Sequence, residues 1–171
     1  MAIASSDIEY RLSGGASNTD PAAALGGAMS TVAGGIITSG NANNLWDDVS
    51  SSEAAAGDTE YRGFYVKNKH ATLTWENVVV WIDSLTSSAD TEFDIALADE
   101  AVNVAMETIA NESTAPSGPS FTRPTTKGAG LSIGNIPAGQ YKGIWIKRTV
   151  TAGAAAANDS GSIRCEGDTA A

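Results

Sequence analysis

The chain has 171 residues and a formal net charge of −10, with ten Lys and Arg against twenty Asp and Glu. This length is sufficient for one domain that buries roughly two-thirds of the surface its unfolded form exposes. The acidic balance argues against nucleic acid as a partner, because phosphate binding depends on clustered basic side chains. The lone cysteine, Cys165, excludes an intrachain disulfide framework and a paired-cysteine zinc or redox site. We predict a single domain over residues 1–171.

The charge is unevenly distributed along the chain. Residues 1–100 carry fifteen acids and four bases, whereas residues 101–171 carry five acids and six bases. Either one part of the surface faces a partner, or the acidic surface aids solubility. Residues 1–7 lack the basic and apolar regions of a secretory signal, and no apolar run of about 18 residues is present. We expect synthesis in the cytoplasm and no membrane partner.

The first predicted strand covers residues 7–13, where Ile8, Tyr10 and Leu12 alternate with polar neighbours. The following segment, residues 16–35, is rich in Gly, Ala and Ser and is interpreted as an extended N-terminal arm or irregular loop. It has few large apolar groups with which to pack on its own body. This composition favours a strap that lies across neighbouring subunits.

Residues 35–39 are interpreted as a short strand, and a long loop is predicted over residues 41–58. Arm and loops together span residues 16–58. Trp46 is expected to anchor this loop, because a surface loop gains order by packing an apolar group inward. The other expected members of the apolar plug are Leu45 and Val49.

The strongest strand signal covers residues 60–68. Alternation places Phe64 and Val66 on one face and Tyr61 and Tyr65 on the other. Both faces therefore carry large apolar groups, which predicts a strand that is buried on both sides.

Further strands follow a turn predicted at residues 68–70. Residues 71–75 are interpreted as a strand, and residues 77–83 are apolar on both faces, as in a central strand covered by a second sheet or a neighbouring subunit. Residues 91–97 alternate again. The residues expected on the core face of this last strand are Phe93, Ile95 and Leu97.

The second half of the chain contains one ambiguous segment. The apolar positions of residues 99–110 fit helical spacing and strand alternation equally, and we favour an irregular turn of helix. Residues 111–128 are rich in Pro, Ser and Thr, which predicts an extended loop that Phe121 pins to the body. The remaining predicted elements are strands over 130–134, 140–150 and 161–167, a turn at 136–139 and an Ala-rich loop at 153–158. Together, the predicted strands indicate an all-β, immunoglobulin-like or related sandwich of about seven to nine strands.

The sequence contains little that suggests catalysis. His70 lies beside Lys69 in a predicted turn, where we expect it to be solvated and without a catalytic role. The nucleophile elbow and the phosphate-binding loop are absent, and Gly128-Ala-Gly130 lacks the third glycine of a dinucleotide fingerprint. We predict that the chain is not an enzyme, with no catalytic residue and no cofactor.

Acidic pairs are the remaining candidates for chemistry. Asp47-Asp48 and Asp99-Glu100 do not form the alternating carboxylate loop of an EF-hand, and neighbouring side chains on a strand point to opposite faces. We predict no metal site. A structural Ca²⁺ site and a glycosidase carboxylate pair remain as alternatives.

Aromatic residues offer one route to a binding surface. Among the four tryptophans, Trp46, Trp75, Trp81 and Trp145, three lie in apolar strand contexts that favour core packing. Trp75, next to Glu76, is expected to be the most exposed. Cys165, in the last predicted strand, is expected to be a small buried apolar residue.

Three stretches carry a resemblance to a known family. They are residues 8–21 (IEYRLSGGASNTDP), 57–68 (GDTEYRGFYVKN) and 136–154 (IPAGQYKGIWIKRTVTAGA). Together they resemble a family of small virion proteins of tailed bacteriophages encoded among head-assembly genes, the capsid decoration or cement proteins. These are fold motifs and not catalytic signatures.

The resemblance implies a β-sandwich subunit bound in many copies to the outer capsid lattice. It implies the virion as location, the major capsid protein as partner, and contacts with copies of itself as a trimer or dimer. Two other hypotheses are a neck, tail or baseplate component and a carbohydrate-binding virion adhesin that uses Trp75.

Overall fold

A computed structural model describes residues 2–155 and 159–169 and shows an all-β sandwich. Within these residues, nine strands form three antiparallel sheets. The strands are β1 (Ile8–Leu12), β2 (Gly26–Gly27), β3 (Asp58–Asn68), β4 (Trp75–Ser84), β5 (Thr91–Leu97), β6 (Met106–Thr108), β7 (Leu131–Ile136), β8 (Tyr141–Val150) and β9 (Ser162–Thr169). The prediction of an all-β sandwich with about seven to nine strands is confirmed.

Two larger sheets enclose the main core. One has the strand order β1-β3-β8-β5, and the other has the order β7-β4-β9. The core between them is formed by apolar side chains from both sheets. Its buried members are Phe64, Val66, Trp75, Val78, Val80, Ile82, Phe93, Ile95, Ile136, Ile144 and Ile146. The predicted central strand over residues 77–83 lies within β4, between β7 and β9.

Strand β3 shows why the four-stranded sheet is buried on both sides. Phe64 and Val66 face the other large sheet, whereas Tyr65 lies in a second apolar cluster on the opposite face. Tyr61 packs against that second cluster. The predicted division of these residues between two faces is confirmed.

The second cluster is covered by the segment that was predicted to be an extended arm or irregular loop. Residues 16–35 are irregular, but they fold back onto the body: Ala24 is fully buried and Met29 is 7% exposed. Gly63 N donates to Ala24 O, and Ile109 N donates to Leu25 O. The expectation that this segment lacks the groups to pack on its own body is wrong, because main-chain hydrogen bonds and small side chains suffice for a close fit.

Glycine makes that close fit possible at Gly26. Its φ is +86°, and a Cβ atom there would lie 1.8 Å from Glu107 O. Gly26 and Gly27 pair with β6 as a short two-stranded sheet. Residues 99–110 therefore do not form the predicted turn of helix, because β6 pairs with this glycine segment instead.

The predicted long loop contains a short helix, α1 (Ser51–Ala56). Ser50 caps it: Glu53 N donates to Ser50 Oγ at 3.3 Å, and Ser50 N donates to a Glu53 carboxylate oxygen at 2.5 Å. Residues 35–39 form no strand, and only an isolated bridge joins Ile36 to Arg11. The helix depends on local capping hydrogen bonds, which hydrophobic periodicity does not detect.

The other loops mostly follow the sequence predictions. The predicted strand over residues 71–75 is wrong for residues 71–74, which lie in a loop, so β4 begins at Trp75. The Pro-rich segment 111–128 is a loop with a turn that Thr114 N closes by donating to Asn111 O, and it ends in the 3₁₀ turn at Lys127–Ala129. Phe121 packs against Tyr61 with ring centroids 5.4 Å apart. Part of the predicted Ala-rich loop, residues 156–158, lies outside the described residues.

Candidate functional site

A cluster of buried charges lies at one end of the core between the large sheets. Glu60 and Arg62 on β3 and Arg148 on β8 are 1%, 0% and 6% exposed. The register of the two strands places Glu60 directly opposite Arg148. Both point to the same side of the sheet as Phe64, so the apolar core becomes a charged core toward the start of β3.

The charges in this cluster compensate each other. Arg148 Nε donates to Glu60 Oε2 at 2.6 Å. Arg62 Nη2 donates to the carboxylate of Glu112 and lies 4.0 Å from Glu60 Oε1. Burial raises the pKa of Glu60, although the charges of Arg148 and Arg62 act in the opposite direction. The arrangement is a desolvated ion-pair network in which the carboxylate of Glu60 is engaged by Arg148 and lies near Arg62.

Trp46 covers the network from the long loop. The Cζ atoms of Arg148 and Arg62 lie 4.9 Å and 5.2 Å from the centroid of its ring system. Arg148 Nη1 also donates to Asp47 O at 2.7 Å. Leu45 and Trp46 pack against the main core, so the predicted plug is present with Trp46 as anchor. Val49 instead lines a surface depression of about 490 Å³ beside α1.

A carboxylate trio adjoins the same end of the sandwich. Carboxylate oxygens of Glu53, Asp58 and Glu60 lie within 4.8 Å of one another. Ca²⁺ takes six to eight oxygen ligands, and Glu60 is already engaged by Arg148. The sequence did not indicate this trio, because Glu53 comes from α1 whereas the other two come from β3.

The predicted acidic pairs are not brought together. Asp47 contacts Arg148, and Glu100 accepts a hydrogen bond from Glu107 N at 2.7 Å. Asp99 lies next to Gly118, where its Oδ2 would be 2.0 Å from an added Cβ. The pairs therefore occupy separate structural environments and form no common acid and base arrangement.

His70 has a structural role in its turn. Its Nδ1 accepts hydrogen bonds from Thr72 N at 3.1 Å and Leu73 N at 2.9 Å. The side chain is half-buried, so it is less solvated than the sequence suggested. These two hydrogen bonds stabilise the loop between β3 and β4, which has no strand pairing of its own.

The burial of the four tryptophans differs in one respect from the sequence prediction. Trp75 is 4% exposed and belongs to the main core, so the prediction that it is the most exposed tryptophan is wrong. Its side chain faces inward because β4 begins at this residue and packs against the other large sheet. Trp81 and Trp145 are buried as expected, and Trp46 is the half-buried one.

Cys165 is also held at the core. It is half-buried and packs against the main cluster, and burial raises the pKa of its thiol to about 12. Its backbone N donates to Tyr10 Oη at 3.2 Å, which joins β9 to β1 across the open side of the sandwich. A thiol with this pKa is a poor nucleophile at neutral pH.

Most cationic side chains are engaged in ion pairs, some of them at the surface. Ion pairs engage Arg11, Arg62, Arg123, Lys127, Lys147, Arg148 and Arg164. Lys142 is buried, with its ammonium group donating to Ala98 O at 2.6 Å. Across the described part of the chain, Lys67 and Lys69 are the cations without an ion pair or a buried partner. The outward charge is therefore predominantly negative, which suits a cationic partner surface.

Comparison with known proteins adds no relative. No family model matches the chain, and no match is found among the curated proteins or among the solved structures. Within the described residues, no helix is long and apolar enough to cross a membrane.

Proposed function

We propose that this chain is a non-catalytic structural protein of a tailed-bacteriophage particle, in the role of a capsid decoration protein. It would bind the outer capsid lattice in many copies and stabilise the head. Its partners would be the major capsid protein and copies of itself, as a trimer or dimer. Binding would be its whole mechanism.

One observation carries the proposal. The three stretches that resemble decoration proteins contain β1, β3 and β8, which are three adjacent strands of one sheet. Sequence segments as far apart as residues 8–21 and 136–154 thus contribute strands to a single sheet. Their proximity in one sheet supports treating the three stretches as parts of one motif.

The chemistry of the described residues supports a binding role. The buried Glu60 and Arg148 form an ion pair, the buried Lys142 donates to backbone carbonyls, and the one histidine accepts hydrogen bonds from its own turn. The excess charge is acidic, which favours a lattice surface that presents Lys and Arg. Many weak copies of such a contact would sum to substantial stabilisation of a shell.

The carbohydrate-binding hypothesis loses the residue on which it was based, because Trp75 is buried in the core. A neck, tail or baseplate role uses the same fold and differs in copy number. Closed symmetry makes the distinction quantitative, since a shell protein is present in hundreds of copies and a tail protein in roughly a dozen.

Two measurements on purified particles test the proposal. Quantitative mass spectrometry should find the protein in mature virions at shell-like copy number. Particles that carry it should rupture at higher temperature or stronger osmotic shock than particles from which it has been deleted. Absence from virions would contradict a virion role, a copy number near a dozen would favour the tail alternative, and equal rupture thresholds would contradict stabilisation.

A further inference from the structure

The loop segment that contains Trp46 makes few contacts with the rest of the protein. We call residues 38–50 the strap. Before it, Ile37 N donates to Tyr10 O at 2.9 Å, and after it, Gly153 N donates to Ala54 O at 2.8 Å. Between these anchors, no main-chain to main-chain hydrogen bond joins residues 42–49 to another part of the described chain.

Side chains hold the strap instead. Trp46 and Leu45 pack against the main core, and Arg148 donates to both the carbonyl and the carboxylate of Asp47. The Asp47 side chain is 64% exposed, so that ion pair alone contributes little. The strap is therefore attached by the apolar packing of Leu45 and Trp46, by the carbonyl contact with Arg148, and by the position of the Trp46 ring beside two guanidinium groups.

Opening the strap changes the solvation of the charges beneath it. Glu60, Arg62 and Arg148 are almost fully removed from water when the strap is closed. Desolvation of an ion pair offsets much of its Coulomb attraction, and hydration on opening recovers part of that cost. The free energy needed to open a strap that covers charges is therefore lower than for a strap that covers an apolar surface of the same area.

We propose that the strap is a latch that opens as a unit while both large sheets stay folded, and that Arg148 is the residue that holds it closed. Arg148 is suited to this role because it contacts a sheet carboxylate and the strap at the same time. The open form presents the guanidinium groups of Arg62 and Arg148 on a surface that is otherwise acidic. This inference is independent of the proposed virion role.

Native-state proteolysis with thermolysin tests the latch, because this protease cuts before large apolar residues such as Leu45 and Val49. Local opening exposes little surface, so cleavage in the strap should change little with urea below the global transition. Arg148→Lys keeps a positive charge beside Glu60 but loses the forked contact with Asp47. We expect about tenfold faster cleavage in this variant.

A second variant and a control complete the experiment. Trp46→Ala removes the stacked ring and should also be cleaved about tenfold faster, which keeps the test valid if Arg148→Lys does not fold. The control is Asp48→Ala. Asp48 lies in the strap, and no hydrogen bond or ion pair involves its side chain in the described residues, so this variant should be cleaved at the parent rate.

Cleavage that follows the urea dependence of global unfolding would overturn the latch. Equal cleavage rates in a folded Arg148→Lys and in Asp48→Ala would also overturn it.

Discussion

The two ends of β3 face the same core with opposite chemistry. Toward its end, Phe64 and Val66 pack against apolar side chains of the other large sheet. Toward its start, Glu60 and Arg62 occupy equivalent positions of the alternation but are charged and equally buried. The apolar end is stabilised by removal of surface from water, whereas the charged end is stable only while each charge keeps its partner.

The largest expected effect comes from breaking the charged end. Arg62→Met should lower the free energy of unfolding by about 3–5 kcal/mol, because it removes one of the two cationic neighbours of the buried Glu60 and leaves the partly exposed Glu112 without this partner. Urea denaturation measures the loss. Lys67→Met on the same strand is the control, and we expect a change within about 0.5 kcal/mol because Lys67 forms no ion pair in the described structure. A similar loss of unfolding free energy in Arg62→Met and in Lys67→Met would show that the buried network is energetically unimportant.

The apolar end should respond more mildly to a small change. Ile144→Val removes one methylene from a fully buried position and should cost about 1 kcal/mol. No titratable group is involved, so the loss should be the same at pH 5 and pH 8 when both proteins are unfolded with urea. A loss that varies with pH would mean that the two ends of the core are coupled.

These two ends also show how far the sequence alone could go. Alternation was sufficient to assign Phe64, Val66, Tyr61 and Tyr65 to their faces, because period-2 patterning follows directly from strand geometry. The same rule could not show that Glu60 is buried, since its partner Arg148 is 88 positions away and enters through strand pairing. Charged residues in a strand pattern are ordinarily assigned to solvent.

The missed elements have related causes. The segment over residues 99–110 fitted two periodicities, and its pairing with Gly26 decided the outcome. The segment over residues 16–35 contains few large apolar groups, yet its backbone hydrogen bonds attach it to the body. Trp75 was expected at the surface because Glu76 follows it, but the sheet that covers it becomes visible only in three dimensions.

A smaller effect should come from the exposed partner of Arg62. The Glu112 side chain is 42% exposed, and Glu112→Gln keeps an oxygen that can accept from the guanidinium group. We expect a loss of about 0.5–1 kcal/mol that becomes smaller in 1 M salt, because solvent and ions screen this contact. Glu107→Gln is the control, since the described residues give Glu107 no ion pair. A loss as large as that of Arg62→Met would mean that Glu112, and not burial, determines the cost at this end.

The subtlest difference between the two ends is a pH dependence. Because burial raises the pKa of Glu60 above its ordinary value of 4.5, the folded protein binds this proton more readily than the unfolded chain. The contribution of Glu60 to stability should therefore become more favourable as the pH falls from above the raised pKa toward 4.5. Glu60→Gln removes this response. The difference in unfolding free energy between parent and variant, measured with urea from pH 7 to 4.5, should shift in favour of the parent as the solution becomes more acidic.

Asp94 on the four-stranded sheet is the internal reference for that measurement. Its burial opposes ionisation, but hydrogen bonds from Lys147 and Arg123 outweigh burial and lower its pKa. Its contribution is present above the ordinary pKa of 3.8 and is lost as the pH falls through the lowered value, so Asp94→Asn should weaken the protein most at neutral pH. Between pH 7 and 4.5 the loss caused by Asp94→Asn should stay constant, and it should shrink only when the pH falls below 3.8. The response of Glu60 lies above 4.5. This contrast would show that burial dominates at Glu60 and pairing dominates at Asp94. Parallel trends would mean that Arg148 compensates Glu60 as fully as Lys147 and Arg123 compensate Asp94.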